Sequence, residues 1–216
     1  MNKRHLCVAT DILMTILSII LMGGTILFPD DRVHQILGMS LFVLWIFHTV
    51  LNHRWYASLL KGKYQPYRIM QLVVNLGVLI CALFLMISGL LMAWFIPSDW
   101  VGGAFGFARM AHLLSSHWYY IFMSFHIGLH TAKITKKMEM HGSIFSVVCI
   151  LISLYGVYSF IIRGLWKYIF LQQQFFFLDL ERGYLLFVLD YLSILFLFVS
   201  ASHTIYRLVI KKVYPN

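Results

Sequence analysis

The sequence has few charged residues, and acidic residues are especially scarce. Charged side chains make up 12% of the 216 residues, and only 8 residues are Asp or Glu. A soluble domain carries about 25% charged residues, whereas this chain is 61% hydrophobic. A water-soluble protein of this length could not bury so many apolar side chains in one core. The composition therefore predicts a protein whose solvent is a lipid bilayer.

Cysteine is also scarce, and its placement excludes several kinds of site. Cys7, Cys81 and Cys149 are isolated from one another, and no two of them have the spacing of a redox or zinc motif. The net charge is +9, but the basic residues form short clusters between long apolar runs. Such clusters are typical of cytoplasmic loops and do not indicate a nucleic-acid partner.

Six segments are long and apolar enough, or nearly so, to cross a bilayer as helices, which takes about 20 residues each. They are 6–28, 34–53, 69–96, 111–131, 143–162 and 184–208. The first begins after Lys3 and Arg4 and has no clear small-residue cleavage site, so it is interpreted as an uncleaved span. The sequence predicts an all-α integral membrane protein with six transmembrane helices.

The distribution of basic residues predicts the orientation of these helices. With both termini in the cytoplasm, twelve of the 17 Lys and Arg residues lie inside and five outside, as the positive-inside rule requires. The expected protein is therefore a multi-pass, N-in and C-in protein of the cell membrane. We expect a four-helix bundle over residues 1–142 and two additional spans over 143–216. The outer connection 163–183 is interpreted as an amphipathic stretch at the headgroups, or as a docking surface for an outer partner.

Four histidines in the predicted spans have matched spacings. His34 and His48 lie in the second span, and His112 and His126 lie in the fourth. Each pair is 14 residues apart, which corresponds to roughly 21 Å along a helix. Fourteen residues are also two heptads, so in a supercoiled bundle both histidines stay on one face. Because the two spans run in the same direction, His34 is expected to face His112 near the outer surface and His48 to face His126 near the inner surface.

Facing histidines at two depths predict two haem groups, each with an imidazole on both sides of its iron. The sequence has no Cys-x-x-Cys-His motif, so these would be non-covalent b-type haems. Filling both axial positions favours electron transfer over oxygen chemistry. Histidines inside a membrane can also serve in proton relays, metal transport or interhelical hydrogen bonds, so a cofactor-free transporter is the distant alternative.

Glycines at matching depths extend the predicted cofactor sites, because a flat group between helices needs small neighbours. Gly24 and Gly89 are expected near the outer pair, Gly38 on the histidine-bearing second span, and Gly77 near the inner pair.

Further polar residues supply candidate contacts. His130, one turn beyond His126, could contact a haem propionate or a quinone, and His117 with His130 forms an alternative ligand pair 13 residues apart. Arg109 is a candidate propionate partner near the outer haem. Asp11 either orients a ligand imidazole or is a helix-end acid at the headgroups. His203 is expected to form a hydrogen bond.

Three stretches resemble the flavinylation-associated cytochromes, a family of small bacterial membrane cytochromes b. They run from His34 to Tyr56, from His112 to His130, and from Gly156 to Tyr191. This family is related to the ferric-reductase-like and respiratory cytochrome b bundles. The resemblance implies haem iron ligands at His34, His48, His112 and His126. His53 and His117 depart from the expected pattern.

The resemblance also implies that electrons pass from a cytoplasmic or quinol donor to a flavin-bearing protein or domain outside the cell. The chain contains no dinucleotide-binding glycine motif, so a flavin or nicotinamide would belong to a partner. The closest competing function is the quinone-linked cytochrome b subunit of a respiratory dehydrogenase or reductase. Homodimers are common among the families it resembles.

Overall fold

The computed structural model describes residues 3–59, 61, 63–138, 143–179 and 181–213, and the side chains of all of these except residues 98, 133–138, 143 and 210–213. This described part is α-helical and contains no strand. Its nine helices are α1 (Lys3–Leu21), α2 (Asp31–Leu51), α3 (His53–Ser58), α4 (Pro66–Leu91), α5 (Ser98–Val101), α6 (Ala104–Met138), α7 (Ser143–Ile162), α8 (Leu165–Ile169) and α9 (Gly183–Val213). The domain boundary predicted at residue 142 lies outside the described residues.

Five of the described helices are long and apolar enough to cross a membrane: α1, α2, α4, α7 and α9. The chain therefore has the architecture of a multi-pass helical membrane protein. The 35-residue α6, which contains the fourth predicted span, does not belong to this apolar set because histidines and serines recur along it.

Several polar residues of α6, namely Ser115, His117 and Ser124, are buried because α6 lies at the centre of the bundle. It packs against α4 on one side and α9 on another, and α8 also contacts it. Tyr120 and Ser124 are fully buried, and the Tyr120 hydroxyl donates to the Tyr191 carbonyl at 2.6 Å. A helix surrounded by other helices does not need a lipid-compatible surface, which explains its lower hydropathy.

Two glycines allow α9 to approach its neighbours closely. A Cβ atom on Gly128 of α6 would lie 2.7 Å from the Ser202 Cβ, and one on Gly156 of α7 would lie 2.4 Å from the Ser193 carbonyl oxygen. Small residues at such crossings are the usual basis of close helix packing in membranes. Gly128 thereby joins α9 to α6, and Gly156 joins α7 to α9.

The first span ends earlier than expected from its apolar run. The helix α1 stops at Leu21, and Gly24 adopts a positive φ of 60° before a short 3-10 turn at Thr25–Leu27. The next helix then begins beside Asp30, whose carboxylate accepts the Arg32 backbone N–H at 2.8 Å. This N-cap places His34 in the first turns of α2. The two-glycine break therefore sets the depth of that histidine.

The outer connection 163–183 folds back onto the bundle. Leu165, Tyr168 and Leu178 are buried, whereas Phe170 and Phe177 are each 68% exposed. The segment thus divides into an inner face that packs on α6 and α7 and an outer aromatic face. Part of its apolar surface therefore covers protein, and the predicted contact with headgroups stays a prediction.

A buried charge network ties this connection to α7 and α9. Asp190 is fully buried and accepts hydrogen bonds from the Tyr155 hydroxyl at 2.7 Å, the Ser159 hydroxyl at 3.0 Å and the Arg163 Nε at 2.8 Å. A second guanidinium, that of Arg182, lies 3.7 Å away. Burial of a carboxylate is tolerated here because it is both paired and hydrogen-bonded.

Candidate cofactor sites between α2 and α6

The structure brings His34 of α2 next to His112 of α6. Their ring centroids are 6.3 Å apart and the ring planes are 68° to one another. The N-cap at Asp30 positions the first ring, and the Ser88 hydroxyl of α4 holds the second. Two imidazoles from helices distant in sequence therefore meet at one end of the bundle.

A second pair lies at the other end of the same two helices. His48 and His126 have ring centroids 6.2 Å apart and an interplanar angle of 71°. The two pairs are nearly identical in separation and angle. They lie about 21 Å apart along the helices, since each helix carries its histidines 14 residues apart.

The helices that carry these histidines are not closely packed against each other. The main neighbour of α2 is α1, and α2 makes few close contacts with α6. No residue of α2, all of which are described, is fully buried. A Cβ atom added to Gly38, one turn after His34, would meet nothing within 4 Å. Open space therefore lies beside the histidine-bearing face of α2.

Three of the four rings are held through their Nδ1 atoms by a neighbouring helix. His48 Nδ1 lies 2.8 Å from Asp11 Oδ1 of α1, and His126 Nδ1 lies 2.8 Å from Asn75 Oδ1 of α4. His112 Nδ1 lies 3.1 Å from the Ser88 hydroxyl oxygen. A proton on Nδ1 that is donated to an acceptor leaves the lone pair on Nε2, which is the usual arrangement of a metal-binding imidazole.

The fourth ring is less constrained. His34 Nδ1 is buried and has no hydrogen-bond partner in the described part of the chain, although the Gly24 backbone lies near it. Within the same described residues, the Nε2 atoms of His34, His48, His112 and His126 also make no hydrogen bonds. All four rings thus have one nitrogen free for a further ligand.

The separation of the rings fits a metal ion placed between them. Metal–imidazole bonds are about 2.0 Å long and a ring nitrogen lies roughly 1.1 Å from its centroid, so two coaxial rings on one ion have centroids about 6.2 Å apart. Among the described residues, however, there is no group of three or more His, Cys, Asp or Glu side chains that could hold an ion. Two imidazoles suit a metal whose remaining ligands come from a macrocycle, as in haem.

The predicted glycines divide between the sites and the surrounding packing. Gly89 adjoins His112, since a Cβ there would lie 3.4 Å from its Cε1 atom, and Gly38 faces open space. Gly77 instead approaches the Phe122 ring and Gly24 approaches the Phe176 ring, each within 2.6 Å of an added Cβ. Gly77 therefore lies in the packing of α4 on α6, and Gly24 lies in the chain reversal after α1, where its φ is 60°. Their predicted place beside a cofactor stays a prediction.

Other polar residues that the sequence singled out have defined partners. His130 adjoins His126 with ring centroids 4.5 Å apart, whereas His117 is buried and stacks on Tyr168 at 4.4 Å. His117 thus faces the connection after α7, whereas His34 of α2 faces His112; the alternative in which His117 and His130 replace the ligands of α6 stays a prediction. Arg109 lies over the Phe175 ring at 4.3 Å, which links it to the outer connection. His203 Nε2 lies 3.2 Å from the Thr131 hydroxyl oxygen.

Sequence reasoning missed Asn75 and Ser88, which hold two of the candidate ligands. The sequence does show that each is a polar side chain in an apolar helix, and such a side chain needs a partner. The partner could not be identified from the sequence, because Asn75 and Ser88 lie 51 and 24 residues from the histidines they contact.

Two further cavities lie outside the histidine pairs. The larger, of about 570 Å³, is an apolar groove between α1 and the face of α2 opposite the histidines, lined by residues such as Leu17, Ile36 and Val43. The smaller, of about 280 Å³, adjoins the His48–His126 pair and is lined by Tyr67, Gln71, Leu129, His130, Ala132 and Tyr206. Its polar lining distinguishes it from a lipid-facing groove.

Comparison of the chain with family models, with curated proteins and with solved structures finds no match.

Proposed function

We propose that this protein is a di-haem cytochrome b that carries electrons across the cell membrane to an extracytoplasmic flavoprotein. The observation that carries the proposal is the pair of His–His contacts between α2 and α6, with ring centroids 6.3 and 6.2 Å apart. Two equal sites at opposite ends of one helix pair form a path along the bundle. The same contact is repeated at a second depth of the same two helices.

Haem b, when bound, supplies a reversible one-electron change of its iron. Two histidines of this chain would hold each haem, and Asp11, Asn75 and Ser88 fix the orientation of three of the four rings. A haem held by two protein imidazoles would favour electron transfer over oxygen chemistry. Gly38 and Gly89 leave room beside the rings for a flat group.

The same proposal includes six transmembrane helices: the five apolar helices and α6, which is the fourth span along the chain. Its length of 35 residues exceeds that needed to cross a bilayer, and its polar side chains face neighbouring helices or the histidine pairs. The excess of basic residues on one side supports cytoplasmic termini. The His34–His112 pair then lies near the outer surface and the His48–His126 pair near the inner surface.

The external acceptor in this proposal is a flavin-bearing protein or domain. The resemblance of three stretches of the chain to flavinylation-associated cytochromes supports it. The exposed rings of Phe170, Phe175 and Phe177 at the outer end offer an apolar docking surface.

A quinone-linked cytochrome b subunit is the second candidate, and the polar cavity of about 280 Å³ favours it. Gln71 and Tyr67 are hydrogen-bonded to each other there at 2.9 Å, and His130 adjoins the inner ligand candidate His126. Amide, phenol and imidazole groups can bind the carbonyl and hydroxyl oxygens of a quinone or quinol. A quinol donor at this cavity is compatible with a flavin-bearing acceptor and with the other subunits of a respiratory dehydrogenase or reductase.

The deciding experiment is to purify the protein in mild detergent and to measure its oxidised and reduced spectra together with extracted haem per chain. Two low-spin haems b per chain are expected. The variants His48→Ala and His126→Ala should each lose the inner haem, and His34→Ala and His112→Ala the outer haem. His203→Ala, which changes a membrane histidine outside both pairs, is the control and should retain two.

A colourless protein, expressed with ample haem, would reject this proposal and favour a cofactor-free transporter. Retention of both haems in all four histidine variants would reject the ligand assignment.

A further inference from the structure

The hydrogen bonds on the four Nδ1 atoms differ between the two ends of the bundle. At the inner pair, His48 is bonded to the Asp11 carboxylate and His126 to the Asn75 amide oxygen, both at 2.8 Å. At the outer pair, His112 is bonded to the Ser88 hydroxyl at 3.1 Å, and His34 Nδ1 has no hydrogen-bond partner in the described residues. The inner rings therefore have the stronger acceptors.

The Ser88 hydroxyl, unlike the Asp11 carboxylate, is a neutral acceptor. It donates to the Phe84 carbonyl at 2.5 Å, and the nearby Leu85 and Gly24 backbone groups at the outer pair are neutral. A hydrogen bond to a charged acceptor is roughly twice as strong as one between neutral groups. Asp11 is thus the strongest of the acceptors that hold the four rings.

An acceptor on Nδ1 changes how a ring binds metal at Nε2. Attraction of the Nδ1 proton towards a carboxylate increases the electron density of the imidazole and its basicity as a ligand. A more basic axial ligand stabilises ferric iron more than ferrous iron and so lowers the reduction potential, for which hydrogen bonding near the iron is one of the protein's controls. The negative charge of the carboxylate also lowers the reduction potential.

Other charges near the pairs do not cancel this difference. Asp31 lies near His34 in the first turn of α2, but it makes no hydrogen bond to the ring. Arg109 is turned to the Phe175 ring. At the inner pair, by contrast, the carboxylate contacts the ligand candidate itself.

We propose that Asp11, supported by Asn75, holds the inner haem at a lower reduction potential than the outer haem, which favours electron flow out of the cell. The inference rests on the proposed function. The transfer moves one electron from the inner to the outer site and breaks no bond. The electron comes from a quinol or another reductant on the inner side and leaves to a flavin on the outer side. Asp11 is a positioning and tuning residue that acts through His48.

The test is an optical redox titration of the purified holoprotein in lipid nanodiscs, with dithionite as reductant and ferricyanide as oxidant. The His34→Ala variant, which retains only the inner haem, assigns the two potentials. We expect the inner potential to be the lower one. Asp11→Asn should raise the inner potential by about 59 mV, which for one electron is a tenfold change in the equilibrium constant of electron transfer. The outer potential should stay unchanged.

Three variants separate the hydrogen bond from other effects. Asp11→Glu should restore most of the low potential. Asp31→Asn removes an acid near the outer pair that is not bonded to a ring, and should change neither potential appreciably. Asn75→Asp should lower the inner potential further, and it provides the decisive measurement if Asp11→Asn fails to retain the inner haem.

Equal potentials, a higher inner potential, or an Asp11→Asn protein with both potentials unchanged would overturn this inference while the two-haem function stands. Absence of haem would overturn the proposed function itself.

Discussion

Replacement of Asp190 by Asn should severely destabilise the protein. The Asp190 carboxylate is 0% exposed and Arg163, which it contacts at 2.8 Å, is 4% exposed. Neither solvent nor salt can therefore screen this pair effectively. The substitution keeps a side chain of the same shape but leaves the Arg163 guanidinium, one of whose nitrogens already lacks a partner among the described residues, without its counter-charge. Removal of one partner of a buried ion pair costs about 3–5 kcal/mol.

The assay is a thermal or SDS titration of purified protein in detergent, followed by size-exclusion chromatography of the folded fraction. Asp179→Asn is the matched control, because Asp179 lies on the surface of the same outer connection and its side chain contacts only the Glu181 backbone N–H among the described residues. The double variant Arg163→Leu with Asp190→Leu should be more stable than Asp190→Leu alone, since it removes both charges. A cost below about 0.5 kcal/mol for Asp190→Asn would refute the reasoning.

Three further substitutions test the packing and the two candidate sites. Gly156→Ala should cost about 1–3 kcal/mol in the same unfolding titration, because its Cβ would lie 2.4 Å from the Ser193 carbonyl oxygen; unchanged stability would contradict this helix contact. Gly38→Phe should reduce the haem content per chain while the protein stays monodisperse, because the ring fills the open space beside His34. The control Gly103→Phe also places a ring in open space and should retain two haems. His130→Ala should slow haem reduction by a soluble quinol analogue at least several-fold and leave reduction by dithionite unchanged; equal slowing with both reductants would show that the polar cavity is not the quinol site.

The helical character and the matched histidine spacing could be predicted from local sequence. Long apolar runs require helices in a bilayer because every backbone group must be satisfied within its own segment. A spacing of 14 residues places His34 with His48, and His112 with His126, near one helix face, with a drift of about 40° in a straight helix. The end of α1 at Leu21 was missed, since an apolar run can continue through a break at two glycines.

Tertiary packing alone decided the partners of these histidines. The contacts of His48 with Asp11 and of His126 with Asn75 join residues 37 and 51 positions apart, so they depend on the rotation and height of separate helices. The same packing placed α6 at the centre, turned Gly77 towards Phe122, and folded the outer connection onto the bundle around Asp190. Local periodicity determines which residues share a face of one helix, but only the assembled bundle determines what that face meets.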